Sequence, residues 1–429
     1  MQVTVESTST LERRMRIELP ADQIETEVES RLKNVGRTAK IKGFRPGKVP
    51  AKVVKQRYGK QVRQEVLSDM MQRSYSEAVI QEKLNPAGNP SIEQEEDLDN
   101  QNFAFVAMLE VLPEVALKDL DKIKIEEPDI SIDDSDVDAM IDKLRKQKAD
   151  WSEVDRKSKE SDRVVVDFEG VLDGEKIEGG QGTEVPVVLG EGQMLPDFEK
   201  GLTGVKPGDE KSFKVKFPKD YHAEDLQGKK VDFTVNVHRV EEQSLPEIDD
   251  AFAESFGIQE GGMEKFRADV MDNMQREAAQ RIKSEVRDQL TEGLLETNPI
   301  EIPQVMKNNE VVNMQQEAMR RMGVEDPTQA PPAEHFVDTA EKRVRLGLLV
   351  RQVIAEQGIT ANEEELREHI AEMVASYENP DDMINLYMGN PQLRQQLEPV
   401  VLEQKAFDWV LENAKTKTKK TSFTEYMDS

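Results

Sequence analysis

Gly43-Phe44-Arg45-Pro46-Gly47-Lys48-Val49-Pro50 packs two glycines and two prolines into eight residues, and no helix or central strand continues through such punctuation. A loop is forced. An aromatic ring between cations at a loop tip can enter a pocket while Arg45 and Lys48 reach phosphates or carboxylates. The same residues also suit an ordinary solvated turn with a basic face. On the N-terminal side, Pro20 precedes Ile24, Val28, Leu32 and Val35 at helical spacing, with Gly36 near the helix end. On the C-terminal side a second helix, from about residue 51 to 83, carries Val53, Val54, Tyr58, Val62, Val66, Met70, Val79 and Ile80. Further out, Val3 and Val5, then Met15, Ile17 and Leu19, then Phe103, Phe105, Ala107 and Leu109, alternate as strands do. Residues 1–112 therefore read as an α+β domain with the loop at its centre.

Charge singles out the same loop. The chain of 429 residues has a net charge of -28, yet residues 1–112 hold 17 basic and 17 acidic side chains. Residues 31–63 hold twelve basic residues and no acidic one, a local docking surface for something anionic. The C-terminal stretch 246–429 is the opposite, with 20 basic and 36 acidic residues. Cysteine is absent, which excludes disulfides, thiol nucleophiles and thiolate metal sites. The first twenty residues lack the basic start and apolar run of a secretory leader, and no stretch reaches ~18 uninterrupted apolar residues. A cytoplasmic protein with no membrane span is expected.

Beyond residue 112 the pattern changes twice. Residues 113–149 read as a connector, with Ile123 and Ile125 in a strand and Val137, Met140, Ile141 and Leu144 on one helix face. From Asp162 come strands and tight turns: Val164-Val165-Val166-Asp167-Phe168, a hairpin over Asp173-Gly174, a turn at Pro207-Gly208, and alternation at Phe213, Val215, Phe217 and at Val231, Phe233, Val235, Val237. Everything after Pro246 reads as helix, with Phe266, Val270, Met274, Ile282, Val286, Leu290 and Leu294 in a stripe that Asn298-Pro299 stops. Pro303 opens another helix, Gly323 ends it, and Asn362 with Glu365 resembles a capping box. These stripes are narrow and rich in Met and Val, which suits long arms better than a dense bundle.

The loop Gly43 to Pro50 resembles the ribosome-docking loop of the trigger factor family, whose pattern is Gly-Phe-Arg-x-Gly-Lys-x-Pro, and the helix, loop, helix order around it is similar too. That resemblance makes Gly43, Phe44, Arg45, Gly47, Lys48 and Pro50 the expected ribosome-binding residues. The variable place, often basic in the family, is Pro46 here. The middle of the chain resembles the FK506-binding fold through Val166-Asp167-Phe168, Gly190-Glu191-Gly192, Pro196-Asp197-Phe198-Glu199, Gly201-Leu202, Pro207-Gly208, Tyr221 and Phe233. The implied activity is peptidyl-prolyl cis-trans isomerisation. Turning an X-Pro bond breaks amide resonance against a barrier of ~18–20 kcal/mol and makes no covalent bond, so an apolar pocket that favours the twisted amide is the required part. By this likeness Phe168, Glu178, Val185, Met194, Leu195, Phe198, Tyr221 and Phe233 line the pocket, with Tyr221 a donor to the substrate carbonyl. Read alone, the same aromatics are also what the core of a small barrel needs. Ile177 stands where the family often has a ring, and the loop from Pro218 to Leu226 is short.

The whole-length resemblance implies an α+β, multidomain protein: a ribosome-binding domain (1–112), a connector (113–149), an FKBP-like antiparallel sheet domain (150–245) and an elongated all-α chaperone domain with arms (246–429). The implied function is ATP-independent: docking at the ribosome exit tunnel, on protein and rRNA, and holding nascent and unfolded polypeptides open, including those bound for export. A homodimer when free is left open. The four histidines, His222, His238, His335 and His369, are dispersed, and no Walker loop, HExxH or dinucleotide fingerprint occurs, so no cofactor and no metal are expected. Two rival classes share part of this pattern. A free prolyl isomerase with helices that only dimerise it leaves the basic loop without a purpose, and a periplasmic chaperone requires a leader.

Overall fold

The computed structural model describes residues 1–39, 44, 49–95, 103–172, 174–221, 223–324, 326–375, 377 and 379–428, with the side chains of 178, 224 and 428 excepted. The chain forms two compact units, one of residues 1–127 with 283–419, the other of 128–282 with 420–429.

Strands β1 (Gln2–Ser7), β2 (Glu12–Leu19), β3 (Ser91–Glu95) and β4 (Phe103–Glu110) form a sheet in the order β1-β2-β4-β3. Opposite β4, β2 places Met15 at Ala107 and Ile17 at Phe105, and all four are fully buried. Helices α1 (Ala21–Thr38) and α2 (Ala51–Gln81) join this core through Ile24, Val28, Leu32, Val54, Val62 and Val66. One expectation fails here. The buried stripe of α2 runs on through Ser74 and Ala78, and Ile80 is 77% exposed, because two residues beyond Ala78 lie roughly half a turn away on a 3.6-residue helix.

The chain continues through β5 (Lys124–Ser131) and α3 (Asp134–Gln147). The Asp133 side chain caps α3 by accepting the N–H groups of Ser135 and Asp136. Strands β6 (Asp150–Glu153), β7 (Arg163–Leu172), β8 (Glu175–Val188), β9 (Glu210–Lys216) and β10 (Lys230–Ser244) make an antiparallel sheet, with α4 (Pro196–Leu202) after β8. β10 is the spine. One edge pairs with β7, while the other pairs with β9 and then β6. β8 lies outside β7 as its antiparallel neighbour, with Leu172 opposite Glu175 and Gly174 at φ 94°; Asp173 of the expected hairpin turn lies outside the described residues. Beneath the sheet, Arg156 grips Asp162 at 2.6 and 2.9 Å and reaches Glu242 at 2.9 Å.

Helices α5 (Asp250–Glu254) and α6 (Gly262–Thr297) follow. Phe266, Val270, Met274 and Ala278 of α6 pack with Val137 and Ile141 of α3 and with Phe252. Within the other unit lie α7 (Gln304–Met322), α8 (Val337–Gln357), α9 (Glu363–Val374), α10 (Pro380–Gly389) and α11 (Pro391–Asn413). The sequence boundaries hold: Pro303 caps α7, Gly323 ends it at φ 66°, and Asn362 and Glu365 form a reciprocal capping box. Two joints tie the start of α7 to the sheet region, one from β4 and one from the segment before β3. The Glu110 carboxylate accepts the N–H of Gln304 at 3.0 Å and of Val305 at 2.7 Å, and Gly88 lies so near the Val305 side chain that a Cβ there would stand 2.8 Å from it.

The all-helical reading after Pro246 needs a correction, because β11 (Lys415–Ser422) is a strand paired with β5, followed by α12 (Phe423–Asp428). Lys415 donates its N–H to Ile123 O at 2.9 Å. On the other side of β5, the Gln289 side chain accepts the Glu126 N–H at 2.8 Å and donates to Glu126 O at 3.0 Å. Among the described residues no helix is long and apolar enough to cross a membrane.

Candidate isomerase site

Alternation along β7 sends Val164, Val166 and Phe168 to the inner face of the sheet. β10 runs beside it with Val235 opposite Phe168 and Phe233 opposite Gly170. The missing side chain at Gly170 matters, since a Cβ there would meet the Phe233 ring at 2.9 Å. α4 sets Phe198 between these rings. Its centroid lies 5.4 Å from Phe168 at 77° and 5.3 Å from Phe233 at 88°, the edge-to-face geometry that aromatic quadrupoles favour. Phe213 closes on the far side at 5.5 Å.

Two loops complete the rim. The Glu199 carboxylate accepts the N–H of Gly190 at 3.0 Å and of Met194 at 3.2 Å, which fixes the turn that presents Met194 and Leu195. Tyr221 stands edge-on to Phe217 at 4.8 Å, and its carbonyl accepts from Gln227 at 2.8 Å. The cavity holds about 160 Å³ and is lined by Phe168, Ile177, Met194, Leu195, Phe198, Val215, Phe217, Tyr221, Leu226 and Phe233. Two larger openings, of about 540 and 550 Å³, flank residues 299–301, but charged side chains such as Glu12, Lys307, Glu341 and Arg345 line one, and Arg13 and Lys83 the other. Neither brings aromatic rings together.

Of the residues expected in the pocket, Phe168, Met194, Leu195, Phe198, Tyr221 and Phe233 share one cavity. Val185 packs against the same core one layer away. The side chain of Glu178 lies outside the described residues. Ile177 lines the cavity at the position where the family often has a ring, and Val215, Phe217 and Leu226 line it without having been named for it; the alternation of Phe213, Val215 and Phe217 was the available signal. Glu199 gave none, because its role lies in backbone N–H groups five and nine residues earlier in the chain. In the segment expected to dock, Phe44 and Pro50 are exposed, Phe44 by 40%. Gly43, Arg45, Pro46, Gly47 and Lys48 lie outside the described residues. Among the described residues no group of three or more acidic or His side chains is arranged to hold a metal.

A small cavity walled by rings and a thioether lowers the local dielectric. It suits a less dipolar, twisted amide better than bulk water does.

Comparison with known proteins agrees with this geometry. A model described as bacterial trigger factor protein matches residues 1–144, one for the C-terminus of that protein matches 262–412, and one for FKBP-type peptidyl-prolyl cis-trans isomerase matches 154–238. The trigger factor of Thioalkalivibrio sulfidiphilus is 45% identical over 428 residues, covering 100% of this chain and 98% of that one. That of Colwellia psychrerythraea is 44% identical over 431 residues, covering 100% and 99%. A solved chain, described as "Promiscuous Substrate Recognition in Folding and Assembly Activities of the Trigger Factor Chaperone", overlays with a TM-score of 0.51 at 22% identity, covering 96% of this chain and 99% of that one. That overlay supports the fold alone.

Proposed function

The chain belongs to the bacterial trigger factor family and carries an FKBP-type peptidyl-prolyl isomerase domain, and from that premise we propose that the cavity between Phe168, Phe198 and Phe233 is where an X-Pro bond of a client turns. Members of the family are chaperones that bind the ribosome and nascent chains. The observation that carries the catalytic assignment is Phe198 set edge-to-face against both Phe168 and Phe233 in one apolar cavity. Met194 and Leu195 guide the proline ring, and the Tyr221 hydroxyl donates to the carbonyl of the preceding residue. No covalent intermediate is needed. The ring environment disfavours the planar, more dipolar amide and so lowers the rotation barrier.

The division of labour follows the sequence. Residues 1–112 dock, with Gly43, Phe44, Arg45, Gly47, Lys48 and Pro50 meeting protein and rRNA at the exit tunnel. Residues 150–245 isomerise. The connector 113–149 and residues 246–429 hold clients in the cytoplasm, without nucleotide, and a free homodimer is compatible with this scheme. Support for holding comes from apolar side chains left outside: Val312, Met322, Met373, Tyr377, Leu386 and Val400 are all exposed on the helices and the segment after α9. Adaptable Met and Leu contacts accept varied sequences.

Isomerisation of a proline-containing peptide, measured beside suppression of aggregation of a diluted unfolded protein, tests the scheme. Tyr221→Ala should lower the first and leave the second largely intact, because holding needs area and catalysis needs one cavity. Equal loss of both in a folded variant contradicts it.

A further inference from the structure

Asp167 shares the outer face of β7 with Val165, pointing away from the cavity, yet it stands between two irregularities that shape the cavity wall. Along β8, Val185 pairs with Val166 and Gly182 with Phe168, so Thr183 and Glu184 form a bulge. Along β10, Val237 pairs with Val166 and Arg239 with Val165, which leaves His238 as the extra residue of a second bulge. One oxygen of Asp167 accepts the Glu184 N–H at 2.7 Å, and the other meets His238 Nε2 at 2.8 Å. Glu184 sits at φ 51°, a left-handed conformation that a non-glycine residue keeps only where its surroundings hold it. The Glu184 N–H first, and His238 second, keep the Asp167 carboxyl below the usual carboxylate range.

The inner face shows what these bulges govern. A Cβ at Gly182 would lie 2.6 Å from the Phe168 ring and 2.7 Å from a Val185 methyl. Ring, glycine and valine are interlocked, so a shift of the bulge by a fraction of an ångström moves the ring. Bulges re-aim side chains beside active sites. Neither oxygen of Asp167 touches the cavity, but both ends of the interlock are tied to it.

We propose that Asp167 is a positioning residue for the isomerase cavity: with one oxygen on the Glu184 bulge and the other on the His238 bulge, it sets where the Phe168 ring stands against Gly182 and Val185. This rests on the isomerase reading of the cavity. His238 is the second half of the clamp, and the role belongs to geometry rather than to net charge.

The test uses the full chain with Asp167→Ala, Asp167→Asn, His238→Ala and the double variant Asp167→Ala/His238→Ala. For each, kcat/KM on a proline-containing peptide, the unfolding midpoint and the Val185 methyl NMR signals are measured. Asp167→Ala should lower kcat/KM about tenfold or more, as misplaced catalytic geometry does, and shift the Val185 methyls. Asp167→Asn retains an acceptor for Glu184 and an amide for His238, and should recover most of both. The two alanine losses should be less than additive, as expected for groups acting through one clamp. Wild-type kcat/KM with unmoved methyls in Asp167→Ala, full additivity, or an asparagine variant as impaired as alanine each overturns the proposal. Should Asp167→Ala fail to fold, unmoved Val185 methyls in His238→Ala overturn it equally. Absence of isomerisation in the unaltered chain defeats the isomerase reading, while the methyl shifts still decide the clamp.

Discussion

Gly182 and Phe168 show how a single absent side chain can hold a cavity ring in place. Gly182→Ala pushes a methyl into the ring and into Val185, an overpacking that costs about 1–3 kcal/mol, and isomerisation should fall by more than the stability loss explains when both are measured. Phe198, 3% exposed among three other rings, leaves a cavity on truncation; Phe198→Ala should destabilise the isomerase unit by about 3–5 kcal/mol, read as a lowered denaturant midpoint. Asp162 sets an acid limit. Its burial opposes ionisation, but the two-pronged grip of Arg156 and the Lys159 N–H outweigh that and hold the carboxyl below its ordinary value. A folded-state value below the unfolded one gives stability that is present above the unfolded carboxyl value, ~3.9, and is lost as pH falls through the lower, folded value. Unfolding midpoints between neutral and acid pH should therefore fall less steeply in Asp162→Asn than in the unaltered chain. Phe168, Phe198, Tyr221 and Phe233 were legible in the sequence because each carries its own apolar chemistry in recognisable order. Glu199 and Asp167 were not, since their roles exist only once strand register and backbone N–H groups meet in space.

At the scale of elements, most boundaries were readable because caps and breakers are local. Pro303, Gly323, Asn298-Pro299 and the Asn362 to Glu365 box each act within a few residues of the helix end they define. β11 was not readable. Its Lys-Thr-Lys-Thr-Lys-Lys sequence offers no apolar alternation, and it is a strand because β5, nearly three hundred residues earlier, supplies the ladder. The start of α7 belongs to the same class of long-range effect. Pro303 lacks a capping side chain, so the first N–H groups take their acceptor from Glu110 at the end of β4. A carboxylate at a helix N-terminus also meets the positive end of the dipole. Glu110→Ala should lower stability by about 1–2 kcal/mol, with Glu110→Gln recovering part. Chemical denaturation of the full chain, followed by a probe placed in α7, reads both.

For the molecule as a whole, charge is the organising quantity. Net zero in residues 1–112 and strong acidity in 246–429 put the acid-free basic run beside Phe44 in sharp relief. Replacing Phe44, Arg45 and Lys48 together by alanine should abolish co-sedimentation with ribosomes, and added salt should weaken the unaltered chain, as charge contacts to RNA do; undiminished binding of the triple variant sinks the docking assignment. A chain from which 150–245 are removed, its ends rejoined by a short linker, should still delay light scattering by a diluted denatured client without ATP. Such clients are themselves chains with open strand edges, and an unguarded edge on their holder would be copied into whatever they build. The β5 and β11 ribbon is guarded on both sides. On the β5 side the Glu126 N–H and C=O are both already taken by Gln289, and along β11 a newcomer would have to cover the exposed side chains of Lys415, Lys417 and Lys419, the kind of lysine-bearing edge that resists further pairing. A protein guarded in this way is expected to sit amid aggregating material without being recruited as its seed, and Lys417→Val with Lys419→Val should make it co-precipitate with a diluted denatured client, read by sedimentation.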